Sequence, residues 1–247
     1  MEPVYGTAIA AARTMWKAQG LRFTMTGIEN IPKTGGAVIA INHTSYIDFT
    51  FAGLPVFRQG LGRKVRFMAK KEVFDNKLTG PIMRGCRHIP VDRANGAASF
   101  EQACQLLKEG ELVGVYPEAT ISRSFELKEF KTGVARMALD AQVPIIPVIV
   151  WGVHRMWTKD HPKSLGRKKI PVIVRVGAPI AATGPVAEVM AALQETMTGQ
   201  LHEVQEEYPH PEGEYWVPRR LGGGAPTPEE AAVLEKAERA RREAGGR

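Results

Sequence analysis

The stretch Ala37-Val-Ile-Ala-Ile-Asn42-His43-Thr44-Ser45-Tyr46-Ile47-Asp48 joins a short apolar run to a cluster of turn-forming residues. Residues 37–42 are apolar and rich in β-branched side chains, which is typical of a strand buried on both faces of a parallel sheet. Ser45, with Asp48 three residues later, resembles the start of a helix. The stretch therefore predicts a strand that ends near Asn42 and a helix that begins near Ser45.

The same alternation continues along the chain to about Val176 and predicts an α/β fold, with a mostly parallel sheet flanked by helices. The predicted strands cover residues 37–42, 65–69, 87–91, 112–116, 145–150 and 172–176. The predicted helices cover residues 45–54, 96–108 and 132–141, and a further one starts near 185 and runs past 201.

The two ends of the chain differ in character from residues 31–217, which we expect to form the main domain. The N-terminal segment, 1–30, contains a predicted helix over 4–18 with Tyr5 and Trp16 along one side. Such a helix either lies in a membrane interface or packs on the domain. Residues 218–247 predict a Gly- and Pro-rich linker and then a polar helical tail that starts at the capping box Thr227-Pro228-Glu229-Glu230.

No apolar run approaches 18 residues, so we expect no transmembrane helix. The N-terminal residues also lack the basic region of a signal peptide. Cys86 and Cys104 form neither a disulfide framework nor a metal-ligand pattern, and the histidines show no paired ligand spacing. We therefore expect a reducing cytoplasm and no metal.

His43 and Asp48 are the strongest candidates for chemistry. A strand-to-helix turn allows the carboxylate to hold one ring nitrogen protonated and to leave the other as a base. The simpler interpretation is that Asp48 only caps a helix and that His43 is an ordinary loop histidine. Spacing alone does not decide between the two.

Other polar residues follow predicted strands and are expected at the same edge of the sheet as His43. Glu118 follows the strand over 112–116, and Lys70 follows the strand over 65–69. Arg93 follows the strand over 87–91, where a guanidinium group suits a phosphate ligand. Each of these residues alone is also typical of a solvated loop.

The chain has 247 residues, with 33 Lys and Arg against 26 Asp and Glu, which gives a net charge of +7. This charge suits phosphate-bearing substrates or an anionic membrane, or serves solubility alone. The basic stretch Arg58, Arg63, Lys64 and Arg66 and the cluster 167–169 are candidates for lipid headgroups or for the phosphates of coenzyme A. Nucleic-acid binding is disfavoured, because aromatic and basic residues are not interleaved.

Four ordered blocks over roughly residues 35–150 resemble the glycerolipid acyltransferase family, above all the 1-acylglycerol-3-phosphate acyltransferases. They are His43 to Asp48 (His-x4-Asp), Gly85 to Arg93, Tyr116-Pro117-Glu118-Ala119-Thr120, and Val143 to Val148. Two departures stand out in the third block. Ala119 replaces the usual glycine, and Ile121 stands where the family often has a phosphate-binding arginine, for which Arg123 is the candidate substitute.

The resemblance implies acyl transfer from a thioester to the free hydroxyl of lysophosphatidate, with His43 as general base oriented by Asp48. The implied substrate-binding residues are Asn42, Lys70, Arg93, Glu118, Thr120 and Arg123. No cofactor is implied, since acyl-coenzyme A or an acyl-carrier protein would be a co-substrate. A lipid acceptor implies peripheral association with the cytoplasmic face of the cell membrane.

Two other interpretations stay open. A related acyltransferase would act on glycerol 3-phosphate or a glycosylated lipid, and the Ala119 and Ile121 departures leave room for it. A non-catalytic protein of this fold would bind membranes through its basic surface alone.

Overall fold

The computed structural model describes residues 2–92 and 96–244. Its strands are β1 Arg22–Thr26, β2 Ala37–Ile41, β3 Val65–Lys70, β4 Ile89–Val91, β5 Leu112–Val115, β6 Ile145–Trp151 and β7 Pro171–Val176. Its α-helices are α1 Pro3–Gln19, α2 Asp48–Ala52, α3 Leu54–Arg58, α4 Lys71–Asp75, α5 Thr79–Gly85, α6 Gly96–Lys108, α7 Gly133–Ala141, α8 Val186–Glu207 and α9 Pro228–Ala244. Short 3₁₀ helices cover Ile28–Asn30, Val153–Arg155 and Arg219–Leu221.

The described strands form one seven-stranded sheet in the order β1-β7-β6-β2-β5-β3-β4. Strands β2 to β6 run parallel to one another, whereas β7 is antiparallel to β6 and β1 is parallel to β7. The mostly parallel α/β fold predicted from the sequence is therefore confirmed. The carboxyl ends of β2, β5 and β3 meet at one edge, which is where open α/β sheets bind their ligands.

Strand β2 lies at the centre of the sheet and is buried on both faces. Val38 and Ala40 belong to the apolar cluster formed with α6, α7 and α8. Ala37, Ile39 and Ile41 belong to the opposite cluster, formed with α1, α2 and α3. Burial on both faces explains the uninterrupted apolar run, and it fixes His43 at a rigid strand end.

Strand β1 is missing from the sequence prediction. Its burial alternates, with Arg22, Thr24 and Thr26 exposed and Phe23 and Met25 half-buried, because it is the edge strand beyond β7. A short strand with three polar residues lacks the apolar run that marks the central strands. Through β1, the N-terminal segment is hydrogen-bonded into the sheet.

The prediction of one continuous helix over residues 45–54 is wrong in two respects, since the helix starts later and is interrupted at Gly53. Helix α2 begins at Asp48, and α3 follows from Leu54 after Gly53. The helix begins late because residues 44–47 turn around the Asp48 carboxylate, which accepts the backbone N–H groups of Thr44 and Ser45.

Helix α1 packs on the domain through the apolar side predicted from its sequence. The Trp16 ring stacks on Phe51 of α2 with centroids 4.6 Å apart, and both side chains are buried. The Tyr5 hydroxyl donates a 3.0 Å hydrogen bond to the carbonyl oxygen of Val65. Among the described residues, no helix combines the length and apolar character needed to cross a membrane.

The C-terminal helix α9 begins at the predicted capping box, which the structure confirms. The Thr227 N–H donates to Oε2 of Glu230 at 2.9 Å, and the Glu230 N–H donates to Oγ1 of Thr227 at 3.2 Å. The preceding residues 218–226 are less exposed than a free linker would be, since Ala225 is fully buried against Val217.

Candidate active site

The structure brings His43 and Asp48 together. Nδ1 of His43 lies 3.2 Å from Oδ2 of Asp48, and the same oxygen accepts the N–H groups of Thr44 at 2.9 Å and Ser45 at 2.8 Å. Asp48 is fully buried, whereas 17% of the His43 side chain is exposed. The carboxylate can therefore fix Nδ1 as the protonated nitrogen and leave Nε2 as the base.

The pKa of the Asp48 carboxyl is raised by its burial. The hydrogen bond and charge of His43 and the N–H groups of Ser45 and Thr44 oppose this effect. An oxygen with three donors is fixed in position, so the imidazole is held in one orientation.

Asn42 supports this turn from the end of β2. Its Oδ1 accepts the Val150 N–H at 2.7 Å, and its Nδ2 donates to the Val150 carbonyl oxygen at 3.1 Å. The side chain is fully buried, and these two bonds engage both polar atoms of its amide. Asn42, which the resemblance implied as a substrate contact, is therefore placed as an anchor between β2 and β6.

Glu118, at the end of β5, holds the peptide of His43. Its Oε1 accepts the His43 N–H at 2.7 Å, and its Oε2 accepts the Lys128 N–H at 3.2 Å. Burial raises the pKa of the Glu118 carboxyl to about 8, against the opposing effect of those N–H groups. Both oxygens thus contact backbone groups, and the side chain positions the histidine.

The loop after β5 also contacts His43 from its other side. The Ser122 N–H donates to the His43 carbonyl oxygen at 2.8 Å. Ala119 reaches this geometry with a φ of +59°, in the left-handed region that favours glycine. The departure from glycine therefore introduces backbone strain at the turn that delivers Glu118.

Tyr116 is a site residue that the sequence analysis missed. Its ring stacks on the His43 imidazole, with centroids 3.9 Å apart and an interplanar angle of 18°. It follows β5 and precedes Pro117, so the strand-end argument that found Glu118 applies to it as well. The stack fixes the ring plane of the histidine from a neighbouring strand.

The residues predicted to bind substrate outside the histidine turn differ in their exposure and in their contacts within the protein. Lys70 is exposed at the carboxyl end of β3, and Arg93 lies outside the described residues. The Thr120 hydroxyl contacts Nζ of Lys128. Arg123 is nearly buried and pairs with Asp160 at 2.5 Å and with Glu238 of α9 at 2.8 Å.

The basic stretch before β3 is only partly available to ligands. Arg66 is buried, with ion pairs to Glu2 at 2.6 Å and to Glu111 at 3.0 Å, so its interpretation as a headgroup contact is wrong. The Arg63 guanidinium donates to backbone carbonyls, among them that of Gly110 at 2.6 Å. Over the described part of the chain, no group of three or more His, Cys, Asp or Glu side chains is arranged to hold a metal ion.

Comparison with known proteins gives a match to the Acyltransferase family model over residues 22–151, more than half of the 247 residues. The chain belongs to the acyltransferase family. The resemblance carried by the four sequence blocks is thereby confirmed. The matched region includes β2 and β5, the two strands whose carboxyl ends lead into His43 and Glu118.

Curated relatives and a solved structure agree with this assignment. The 1-acyl-sn-glycerol-3-phosphate acyltransferase of Bacillus subtilis is 32% identical over 183 residues, which cover 72% of this chain and 85% of that protein. The Limnanthes douglasii protein of the same name is 32% identical over 65% of this chain and 55% of its own length. The crystal structure of the 1-acyl-sn-glycerophosphate acyltransferase PlsC from Thermotoga maritima shares the fold, with a TM-score of 0.61, 21% identity and 80% coverage of both chains.

Two features of this acyltransferase lie beyond the matched region. Lys159 follows β6, and α9 returns to the loop that carries Thr120 and Arg123. The polar helical tail predicted from the sequence contacts the domain through Glu235 and Glu238. The i,i+4 pattern of opposite charges in α9 does not itself show that its carboxylates face the domain.

Proposed function

We propose that the protein transfers a fatty acyl chain from a thioester to the free hydroxyl of lysophosphatidate and so forms phosphatidate in phospholipid synthesis. The observation that carries the proposal is the His43–Asp48 pair. The peptide and the imidazole ring of His43 are both held by hydrogen bonds at the edge where open α/β sheets bind their ligands. The names of the relatives from Bacillus subtilis and Limnanthes douglasii support this acceptor.

In this reaction, Nε2 of His43 accepts the proton of the acceptor hydroxyl as the hydroxyl oxygen bonds to the thioester carbonyl carbon. The tetrahedral intermediate then breaks its C–S bond. The departing thiolate takes the proton from His43, so the products are an ester and a free thiol. General-base catalysis of this kind contributes about 10²–10⁴-fold to the rate.

Direct transfer, without an acyl-enzyme, fits the state of the two cysteines. Cys86 and Cys104 are both buried. Burial raises the pKa of the Cys86 thiol and raises that of Cys104 to about 11. A thiol with a raised pKa is a poor nucleophile near neutral pH, because the thiolate is the reactive form.

The donor would be an acyl-coenzyme A or an acyl-carrier-protein thioester, and the lipid acceptor would bring the enzyme to the cytoplasmic face of the cell membrane. Residues 167–169 support a peripheral contact, since all three cations are exposed next to the exposed Leu165. Cations near an anionic surface contribute about 1 kcal/mol each.

The first experiment measures free thiol released from palmitoyl-coenzyme A when lysophosphatidate is added in detergent micelles. We expect acceptor-dependent release from the wild type and loss of that release in His43→Ala. Release that survives in His43→Ala would show that His43 is not the base. Release with glycerol 3-phosphate or a glycosylated lipid, but not with lysophosphatidate, would assign the protein to a related acyltransferase. If no acceptor supports release while liposomes still bind, the non-catalytic interpretation would hold.

A further inference from the structure

We propose that Arg123, Lys128 and Lys159 form a cation pocket for a phosphate monoester, and that two carboxylates of α9 occupy this pocket when that ligand is absent. The proposal rests on the proposed function, because lysophosphatidate carries such a phosphate. It adds two residues outside the four sequence blocks, Lys128 and Lys159, and it gives the C-terminal helix a role in access to the site.

Lys128 links the pocket to His43 through Glu118. Its Nζ contacts the Thr120 hydroxyl, and its backbone N–H donates to Glu118, which in turn accepts the N–H of His43. Glu235 of α9 binds the same Nζ with both carboxylate oxygens, at 2.7 and 2.8 Å. A carboxylate of the tail thus binds the ammonium group of a residue whose backbone is linked to the peptide of His43 by two hydrogen bonds through Glu118.

The other two cations share a second carboxylate. Oε2 of Glu238 lies 2.8 Å from Nη2 of Arg123 and 2.9 Å from Nζ of Lys159. One oxygen that accepts from two cations reproduces the contacts that a phosphate oxygen would make. Nη1 of Arg123 is buried and has no hydrogen-bond partner among the described residues, so the guanidinium keeps a donor for a ligand larger than a carboxylate.

The charge of the cation pocket matches a phosphate monoester. Only 8%, 20% and 11% of the Arg123, Lys128 and Lys159 side chains are exposed, so their charges are poorly screened by water. Asp160 neutralises one of the three positive charges, and the two α9 carboxylates neutralise the rest. Without α9, two positive charges remain, and a phosphate monoester carries about −1.5 to −2 at pH 7.

An arginine is not available at position 121 to bind this phosphate. Ile121 is 3% exposed and belongs to the buried apolar residues. Lys128 reaches the same loop from seven residues further on and places its ammonium group against Thr120. The cation that the site requires is therefore present, although it comes from a different position in the chain.

Helix α9 is held to the domain mainly by these charges. From Pro228 to Arg241, Ala231 is buried and the other residues are half-buried or exposed, including Val233 and Leu234. A helix with so little apolar burial loses little free energy of solvation when it detaches. The Glu235 and Glu238 side chains are 27% and 26% exposed, so water can solvate them when α9 detaches, and a ligand with more negative charge can take their place on the cations.

The test measures binding of lysophosphatidate in detergent micelles by isothermal titration calorimetry, without a thioester, so that no turnover occurs. The variant is Glu235→Gln with Glu238→Gln, which keeps the size of both side chains and removes their charge. We expect its dissociation constant to fall about tenfold below that of the wild type, because the phosphate no longer competes with the tail. Lys128→Gln should raise the dissociation constant instead.

Two controls accompany this measurement. Glu229→Gln, on the same helix and outside these ion pairs, should leave the dissociation constant unchanged. Monoacylglycerol, which lacks the phosphate, should bind the wild type and the double variant equally. Glycerol 3-phosphate carries the phosphate group without the acyl chain. The proposal is supported if the double variant binds both phosphate compounds more tightly than the wild type does, or binds lysophosphatidate alone more tightly. Equal tightening for monoacylglycerol, or no tightening for either phosphate compound, would overturn the proposal.

Amide hydrogen exchange of the wild type tests the movement of α9 directly. Lysophosphatidate should speed exchange in residues 228–241, and slower or unchanged exchange there would count against displacement. Both measurements are independent of turnover. An active enzyme without these effects would refute the role of α9, whereas these effects in a protein inactive with lysophosphatidate would refute the proposed function and leave the pocket standing.

Discussion

The backbone N–H of His43 donates a 2.7 Å hydrogen bond to Oε1 of Glu118, 75 residues further along the chain. Asp48 holds the imidazole ring of the same residue from within the turn. One buried carboxyl therefore fixes the peptide of the histidine and another fixes its ring. A histidine fixed in both ways loses little entropy when a substrate is brought to it.

Replacing Glu118 with glutamine should change the pH dependence of stability. Burial raises the pKa of Glu118 in the folded protein to about 8, from an ordinary value of 4.5. Between these pH values, the native state keeps a proton that the unfolded chain has released. The free energy of unfolding of the wild type should therefore fall as pH rises through this window, and this contribution should vanish in Glu118→Gln, which cannot titrate.

Urea unfolding across the window measures this effect as the difference between wild type and variant. Glu101→Gln, an exposed position on α6, serves as the control and should follow the wild type at each pH. Parallel pH profiles for wild type and Glu118→Gln would contradict the raised pKa. The variant should also lose turnover, because one of the two N–H groups would face an amide NH₂ in place of an acceptor.

Asp48→Asn should lower kcat by about 10²–10⁴-fold with little change in KM, because the neutral amide no longer stabilises the positive charge that His43 gains when it accepts a proton. The side-chain oxygen of asparagine can still accept the N–H groups of Thr44 and Ser45, so the turn should remain folded. Steady-state thiol release measures both constants. Asp140→Asn, an exposed position that pairs with Lys108 at 2.9 Å, should behave like the wild type. A kcat for Asp48→Asn close to that of the wild type would leave Asp48 as a helix-start residue only.

The stack of Tyr116 on His43 should matter through its ring and not through its hydroxyl. Tyr116→Ala removes the surface against which the imidazole lies at 3.9 Å, so the ring can tilt, and we expect kcat to fall about 10-fold or more. Tyr116→Phe keeps the stack and should retain most activity. Equal loss in both variants would point to a role for the hydroxyl and would contradict a positioning role for the ring.

The central part of the fold was predictable because β2, β5 and β6 are buried on both faces and read as uninterrupted apolar runs. The edge strand β1 was not, since it alternates between exposed and half-buried residues and includes Arg22. The turn before α2 was predicted to be helical because a sequence does not reveal that the Asp48 carboxylate accepts N–H groups from the residues before it.

The residues of the site also divide into those that the sequence predicted and those that it did not. His43, Asp48 and Glu118 were found because each follows a recognisable strand or begins the next helix. The contact of Lys128 with Glu235 spans 107 residues and depends on how α9 returns to the domain, for which the sequence carries no local signal. Arg66 reads as a surface cation, and its burial becomes intelligible only when Glu2 and Glu111 are seen beside it.

The packing of α1 makes Trp16 a structural residue of the domain. Its ring stacks on Phe51 of α2, the helix that begins at Asp48, and it is 5% exposed. Trp16→Ala should lower the free energy of unfolding by about 3–5 kcal/mol through loss of burial and creation of a cavity. The neighbouring Met15 is 45% exposed, so Met15→Ala should cost little. Urea unfolding of both variants without lipid provides the measurement, and equal stability of Trp16→Ala and wild type would indicate that α1 acts away from the domain, in a membrane interface.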